Sequence, residues 1–142
     1  MEMPSPDRFR RHDGYEEWPP WEAGVQGEDF SVTVPDWADA PHPSSLAFAA
    51  RVLPELHALL AEAVQHVQRM VNARAACLLG EPRISSVHAN AHENTVTLDL
   101  YWDDHVYTLW YVTFEYHPLV RRHIRGFGCR DHRARAWVDR QP

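Results

Sequence analysis

The sequence predicts an α+β domain, in which a long amphipathic helix packs on a four-stranded antiparallel meander and a Pro/Trp-rich N-terminal arm precedes both. Seven of the eleven prolines fall within residues 1–43. From Ser44 to Gly80 apolar residues recur at helical spacing, and after Pro82 the period falls to two, which is typical of strands. We therefore divide the chain into an arm, residues 1–43, expected to pack partly on the body, and a single α+β domain, residues 44–142.

Length and composition agree with one globular domain. The chain has 142 residues, of which 44% are hydrophobic and 24% are charged, so a packed core is expected. Its formal net charge is −6, from 20 acidic and 14 basic residues, and all the basic residues are arginine. Because phosphate backbones repel an acidic chain, we expect no nucleic-acid partner.

The sequence lacks patterns that direct a chain into a membrane or out of the cell. Its longest apolar runs are far shorter than the roughly 18–20 residues that span a bilayer, so we expect no membrane association. No basic region followed by an apolar one is present at the N-terminus, so we expect no secretory signal. A cytoplasmic location follows as an expectation, and in that reducing compartment Cys77 and Cys129 are expected to be free thiols.

The arm is expected to have few regular elements. Proline fixes φ and removes a hydrogen-bond donor, so the segment around Trp18 and Trp21, with two prolines between them, is predicted to be extended. Only residues 30–34 alternate as a strand does, and Pro35 ends them. Because tryptophan side chains have large burial energies, we expect part of the arm to pack on the body.

One helix is predicted from Pro54 to Leu79. Ser44 or Ser45 is a candidate N-cap for a preceding short turn, and Pro54 then either kinks that helix or opens the next one. At 1.5 Å per residue the helix would span about 39 Å. Gly80, with a proline two residues later, is the predicted stop.

The predicted helix is amphipathic. Glu62 and His66 lie on its solvated side, one turn apart, and are predicted to pair. The residues that share its apolar face are Leu56, Leu60, Val64, Val67, Val71 and Leu78.

Four strands are predicted after the helix. They cover residues 84–91, 95–102, 106–116 and about 122–130. The connections are predicted at His92-Glu93-Asn94, at Asp103-Asp104 and at Pro118. Connections this short require antiparallel neighbours, so the strands form a meander. Gly126 and Gly128 indicate a bulge, or a close approach of another part of the chain, in the last strand.

The third of these strands is apolar on both faces. One face carries Val106, Trp110, Val112 and Phe114, and the other carries Tyr107, Leu109 and Tyr111. A strand with one solvated face should alternate apolar and polar residues, so both faces are expected to be covered. We predict that Trp18, Trp21 and Trp37 cover the second face, and a partner protein or a second copy of the chain is the alternative.

Two resemblances follow from these elements. One helix followed by four antiparallel strands is similar, over residues 44–130, to a cystatin-like roll, an architecture shared by unrelated activities. The apolar strand 107–114 after an acidic turn resembles the immunity proteins of bacterial polymorphic toxins, over residues 83–130. The second resemblance implies a cytoplasmic protein that blocks a cognate toxin by binding it.

Ten histidines raise an alternative, a metal-dependent enzyme that uses a histidine cluster. His88 and His92 are four residues apart, and Cys129 and His132 are three apart, which are separations that zinc ligands adopt. Such separations also arise by chance where histidine is frequent, so we expect no metal and no other cofactor.

The function expected from the sequence is a non-enzymatic protein-binding module, an immunity-type inhibitor of a toxin. Acidic surfaces speed the capture of basic partners, and aromatic side chains anchor them, so we expect a basic protein partner. The candidate contact residues are Asp103, Asp104, Trp102, Tyr107, Trp18 and Trp21. The alternatives left open are the metal-dependent enzyme and a homodimeric scaffold subunit joined through the apolar third strand.

Overall fold

The computed structural model describes residues 1–11, 20–71, 80–117 and 120–130, and for residues 105–107, 120 and 121 it describes the backbone alone. Within these residues a helical layer packs on one large sheet of mixed direction, as the predicted α+β class requires.

The helical layer consists of α1 (Pro43–Val52) and α2 (Leu56–Met70), joined by a 3-10 turn at Leu53–Glu55. Pro54 lies in the first turn of that 3-10 segment, where its missing N–H needs no partner. The predicted single helix over 54–79 is wrong, because Val71 is extended (φ −101°, ψ 142°) and ends α2. The rest of the predicted helix, residues 72–79, lies outside the described residues.

His42, and not Ser44 or Ser45, caps α1. Its ring Nδ1 accepts a hydrogen bond from the Ser45 backbone N–H at 3.2 Å, and the Ser45 hydroxyl lies 2.7 Å from the same nitrogen. The Ser45 hydroxyl also accepts the Ala91 N–H at 2.9 Å. The cap therefore joins the start of the helical layer to the turn between β6 and β7.

Nine strands are present among the described residues. They are β1 (Arg10–Arg11), β2 (Trp21–Gly24), β3 (Ser31–Val34), β4 (Asp36–Trp37), β5 (Ala40–Pro41), β6 (Pro82–Asn90), β7 (Thr95–Trp102), β8 (His105–His117) and β9 (Val120–Cys129). Seven of them form one sheet in the order β1-β2-β3-β6-β7-β8-β9, and β4 pairs with β5 in a separate ribbon. All neighbours are antiparallel except β3 and β6, which are parallel.

The predicted four-stranded meander is present as β6 to β9, but it is only part of the sheet. The strand predicted at residues 30–34 is β3, and it pairs with β6 so that Thr33 lies opposite His88. The prediction of a four-stranded sheet is therefore wrong. It failed because β3 bonds to the edge of β6 that a meander alone would leave open, and β2 and β1 extend the sheet beyond β3.

The core lies between the helices and one face of the sheet. A row of buried, mutually paired residues crosses four strands: Val32, Val87, Leu98 and Val112. From α2 the buried residues are Leu56, Leu59, Ala63 and Val67. Leu60 and Val64, predicted to lie on the buried face, are only partly buried. The buried face of α2 is thus turned toward Leu59 and Ala63, and Leu60 borders a cleft.

Candidate functional site

The turn between β7 and β8 holds Asp103 and Asp104, as the sequence predicted. Asp103 Oδ1 accepts a hydrogen bond from Arg83 Nε at 2.5 Å, and the Asp103 N–H donates to the Glu81 carbonyl at 3.0 Å. The bond to Asp103 raises the pKa of the Arg83 guanidinium above its ordinary value. Asp104 is exposed. The Asp104 carboxylate is therefore exposed to solvent, whereas the Asp103 carboxylate is hydrogen-bonded to Arg83.

Gly80 holds this acidic turn in place. Its φ of +91° lies in the left-handed region, which favours glycine. A Cβ on Gly80 would lie 3.0 Å from the Asp104 backbone nitrogen and 3.2 Å from Asp103 Cβ. The backbone at Gly80 lies so close to the turn that a side chain at this position would displace the turn.

A cleft of about 250 Å³ opens beside the acidic turn, between the start of α2 and the strands β6 and β7. Arg83, the partner of Asp103, lines it. The apolar and aromatic lining residues are Met1, Phe30, Leu56, Leu60, Pro82, Ile84 and Tyr101. The other lining residues are Glu28, Asp29 and His57. Five separate segments of the chain thus contribute to one amphipathic cleft.

The loop between β2 and β3 supplies the acidic side of the cleft. The Val25 N–H donates to the Phe30 carbonyl at 3.1 Å, and the Glu28 N–H donates to the Val25 carbonyl at 3.0 Å. Gly27 has a φ of +80°, which allows this tight loop. Within the described part of the chain, neither Glu28 nor Asp29 has an ion-pair partner for its carboxylate. Two uncompensated negative charges therefore face the opening.

The opposite face of the sheet contains a buried polar network centred on Asp99. Asp99 Oδ2 lies 2.8 Å from His88 Nε2, and Asp99 Oδ1 accepts hydrogen bonds from Arg130 Nε at 3.1 Å and Nη2 at 3.0 Å. The other ring nitrogen of His88 is bonded to the Thr33 hydroxyl. Each buried polar group of the network has a partner, as burial requires.

A hydroxyl, an imidazole and a carboxylate in series are also the elements of a nucleophilic triad. Thr33, however, is only 1% exposed, and the depression of about 170 Å³ above His88 and Arg130 is not lined by Thr33. A nucleophile has to reach its substrate, so this network does not act as a triad. Its evident role is to join β3, β6, β7 and Arg130, the residue after β9, on one side of the sheet.

Arg130 also contacts Tyr111, on the second apolar face of β8. Its guanidinium lies 4.9 Å from the centre of the Tyr111 ring, and that ring crosses Gly128, where a Cβ would be 2.5 Å from the Tyr111 hydroxyl. The prediction is wrong for Trp21 and for Trp37, which contacts His42 and His92 instead, and Trp18 lies outside the described residues. Trp21 lies in β2, four strands from β8, a distance of about 19 Å at the usual strand spacing.

Trp37 and two histidines form an aromatic cluster at the ribbon. Trp37 is 56% exposed, and its ring centre lies 5.5 Å from that of His42 and 6.0 Å from that of His92. The ribbon turns through Ala38 and Asp39, both with positive φ. Burial, and next the nearby His92, lower the pKa of His42 below its ordinary value. Trp37 is an exposed aromatic residue that was not among the predicted contacts.

The three predicted zinc ligands that the structure describes do not converge. Both ring nitrogens of His88 are already bonded, and His92 stacks on His42. Cys129 pairs with Trp110 in the row that faces the helices, across the sheet from His88. His132 lies outside the described residues. Among the residues that are described, no three His, Cys, Asp or Glu side chains are grouped closely enough to hold a metal ion.

The residues predicted to contact a partner differ in their exposure. Asp103 and Asp104 lie at the surface beside the cleft. Trp102 is 1% exposed and belongs to the core, so the prediction that it contacts a partner is wrong. Trp21 is partly buried, and its Nε1 donates to Asp36 at 2.8 Å. The side chain of Tyr107 and all of Trp18 lie outside what the structure describes.

The predicted pairing on α2 is also replaced. Glu62 Oε1 accepts a hydrogen bond from Arg122 Nη2 at 2.7 Å, and His66 packs edge-on against Phe127 with ring centres 5.3 Å apart. Burial, with a smaller contribution from Arg69, lowers the pKa of His66. Both side chains bind α2 to β9 instead of to each other, because the sheet extends beneath the side of the helix predicted to be solvated.

No family model matches this chain, and neither a search of curated proteins nor one of solved structures finds a match. Of the helices in the described residues, neither is long and apolar enough to cross a membrane.

Proposed function

We propose that this chain is a non-enzymatic protein-binding module that inhibits a basic protein partner, in the manner of an immunity protein bound to a toxin. One observation carries the proposal: the acidic turn at Asp103 and Asp104 adjoins an amphipathic cleft through the Asp103–Arg83 ion pair. Concave apolar surface supplies contact area, and the uncompensated acids of its rim attract a basic surface.

The charge around the cleft supports a basic partner. Glu28 and Asp29 line the opening, and Asp104 is exposed on the neighbouring turn. The positive charge of Arg83 is matched by Asp103 at 2.5 Å. The net field at the opening is therefore negative, as it is for the chain as a whole, and such fields raise association rates with basic proteins.

The cleft offers little support for catalysis. His57 is its one imidazole, and within the described residues no side chain forms a hydrogen bond that orients the ring. A general base in an active site is normally held by such a partner. The oriented histidine, His88, lies across the sheet with both nitrogens occupied. This geometry therefore supports a metal-dependent enzyme less well than it supports a protein-binding module.

The proposal is tested by affinity capture from the source organism at low salt. Asp29→Lys reverses one charge at the cleft, and Glu93→Lys makes the same change at an exposed site on the turn between β6 and β7. We expect one basic protein to be retained by the unmodified chain and by Glu93→Lys, and to be lost with Asp29→Lys. The purified partner should then be inhibited by the first two proteins only.

Two results would overturn the proposal. One is retention of the same proteins by all three chains, since the cleft would then have no part in binding. The other is a captured partner whose activity is unchanged by stoichiometric amounts of the chain.

A further inference from the structure

We infer that the cleft receives a single arginine side chain of the partner, with its aliphatic stem on the apolar floor and its guanidinium between Glu28 and Asp29. This inference rests on the proposed function and names the chemistry that the site recognises. It adds a role for Asp103, which does not line the cleft: to hold the charge of Arg83 away from the arriving guanidinium.

The size of the cleft favours one side chain over a larger ligand. Its volume of about 250 Å³ is below the range of roughly 300–1,000 Å³ typical of pockets for drug-sized molecules and cofactors. Leu56, Leu60 and Ile84 form an apolar floor, on which a straight methylene stem can be buried while its charged end stays at the rim.

The charges at the rim select a cation. Glu28 and Asp29 have no ion-pair partner in the described residues, so a purely apolar side chain would leave both carboxylates facing the interface without compensation. A guanidinium can bond two carboxylates at once through its fork of N–H donors, which a lysine ammonium cannot match. Tyr101, also in the lining, adds an aromatic ring of the kind on which guanidinium groups stack.

Among the described residues, Arg83 is the one side chain in the lining with a permanent positive charge, so it opposes a cation. Asp103 accepts its Nε–H at 2.5 Å and so both neutralises and orients it. Without Asp103, Arg83 would repel the incoming arginine and would compete for Glu28 and Asp29. Asp103 is accordingly a positioning residue, and its removal should weaken binding although it need not touch the ligand.

The test uses short peptides, in which glycines flank arginine, lysine, citrulline or norleucine, titrated into the full chain and followed by NMR. We expect arginine to bind most tightly, lysine less so, and the two uncharged residues about tenfold or more weaker than arginine, because each lacks the charge that Glu28 and Asp29 attract. Shifted resonances should include Leu56, Leu60 and Tyr101.

Substitutions inside and outside the cleft lining test where the arginine peptide binds. Asp29→Asn, and Leu60→Trp, which fills the cleft, should each weaken arginine binding about tenfold. Glu93→Gln and Ala61→Trp, on exposed positions outside the lining, should leave it unchanged. Asp103→Asn should weaken binding, and Arg83→Gln added to Asp103→Asn should restore it. A merely structural role for Asp103 would not produce that rescue.

The outcomes separate this inference from the proposed function. If norleucine binds as tightly as arginine, or if the double variant fails to recover binding, the inference is wrong. If no peptide binds but the Leu60→Trp variant still fails to capture the partner protein, the inference is wrong and the protein-binding function stands. If the partner is retained by every cleft variant, the proposed function itself is wrong.

Discussion

The imidazole rings of His42 and His92 lie stacked, with their centres 4.2 Å apart and their planes 28° from parallel. His42 is buried and accepts the Ser45 N–H in the first turn of α1, so its ring has to keep an unprotonated nitrogen. Burial and the neighbouring His92 both lower its pKa. Protonation of His42 would turn the helix cap from an acceptor into a donor and would place a positive charge in a buried ring.

We predict that the domain loses stability as the pH falls below about 6.5. Between the ordinary histidine pKa of 6.5 and the lowered pKa of folded His42, the unfolded chain binds a proton that the folded chain does not. The free energy of unfolding therefore decreases as the pH is lowered through this range. The lowered pKa of His66 acts in the same direction. Urea unfolding at pH 7.5 and 5.5 measures the difference. His42→Asn keeps a capping acceptor, and in this variant the loss of stability between pH 7.5 and 5.5 should be smaller. An equal loss in both proteins would contradict the assignment of the pH dependence to His42.

Loss of the Asp99 carboxylate should be strongly destabilising. Asp99→Ala leaves His88 and Arg130 without the acceptor that they share, and breaking a buried charge pair from one side costs about 3–5 kcal/mol. Asp104→Ala, an exposed carboxylate, should change stability by about 0.5 kcal/mol or less. Denaturant unfolding of the two variants checks the contrast. Similar stabilities would show that the network contributes little.

Gly128 and Gly126 should respond differently to the same substitution. A Cβ at Gly128 would lie 2.5–2.7 Å from atoms of Tyr111, whereas at Gly126 the nearest atom, Thr113 Cβ, is 3.8 Å away. Gly128→Ala should therefore push the Tyr111 ring off the strand, disturb the Arg130 contact and cost about 1–3 kcal/mol. Gly126→Ala should leave the melting temperature unchanged or raise it slightly, since alanine loses less chain entropy on folding. Equal melting temperatures would refute the close contact.

Leu59 and Leu60 are adjacent leucines with different roles. Leu59 is fully buried, so Leu59→Ala should cost about 2–5 kcal/mol. Leu60 is partly exposed at the cleft, so Leu60→Ala should cost about 1 kcal/mol or less. Thermal unfolding of the two variants distinguishes these roles. A larger loss of stability for Leu60→Ala than for Leu59→Ala would show that α2 buries the face predicted from the sequence.

Local patterns predicted the meander well. Strict alternation and the turn residues at 92–94 and 103–104 are signals carried by neighbouring residues, and β6, β7, β8 and β9 lie within two residues of the predicted strands. Strand alternation puts Trp102 on the same face of β7 as Val96, Leu98 and Leu100. That face is the core, so the same alternation should have predicted that Trp102 is buried.

The errors concern interactions that are distant in sequence. Val71 continues the helical period, so the apolar pattern alone could not end α2 before it. The pairing of β3 with β6 joins Thr33 to His88, which are 55 residues apart, and no local signal specifies such a partner. Asp103 and Asp104 were found because a turn is local. Glu28 and Asp29 were missed because the cleft is formed by segments that meet only in the folded chain.

Removal of residues 1–40 should abolish the fold. The deletion takes away β3, with the buried residues Val32 and Val34, and leaves the edge of β6 open to another chain. The truncated protein is expected to aggregate or to lack a cooperative melting transition, as judged by gel filtration and calorimetry. A monomer that melts at the unchanged temperature would contradict this expectation.

The parallel pairing of β3 with β6 also sets an order of events in folding. During synthesis β3 leaves the ribosome well before the strand it must join, because both helices and the ribbon are translated between them. The pairing closes a long loop, whose entropic cost has to be met before its contacts stabilise anything. The antiparallel hairpins of β6 to β9 close much shorter loops. We therefore expect the C-terminal strands to form first and to act as the template on which the N-terminal strands are added last.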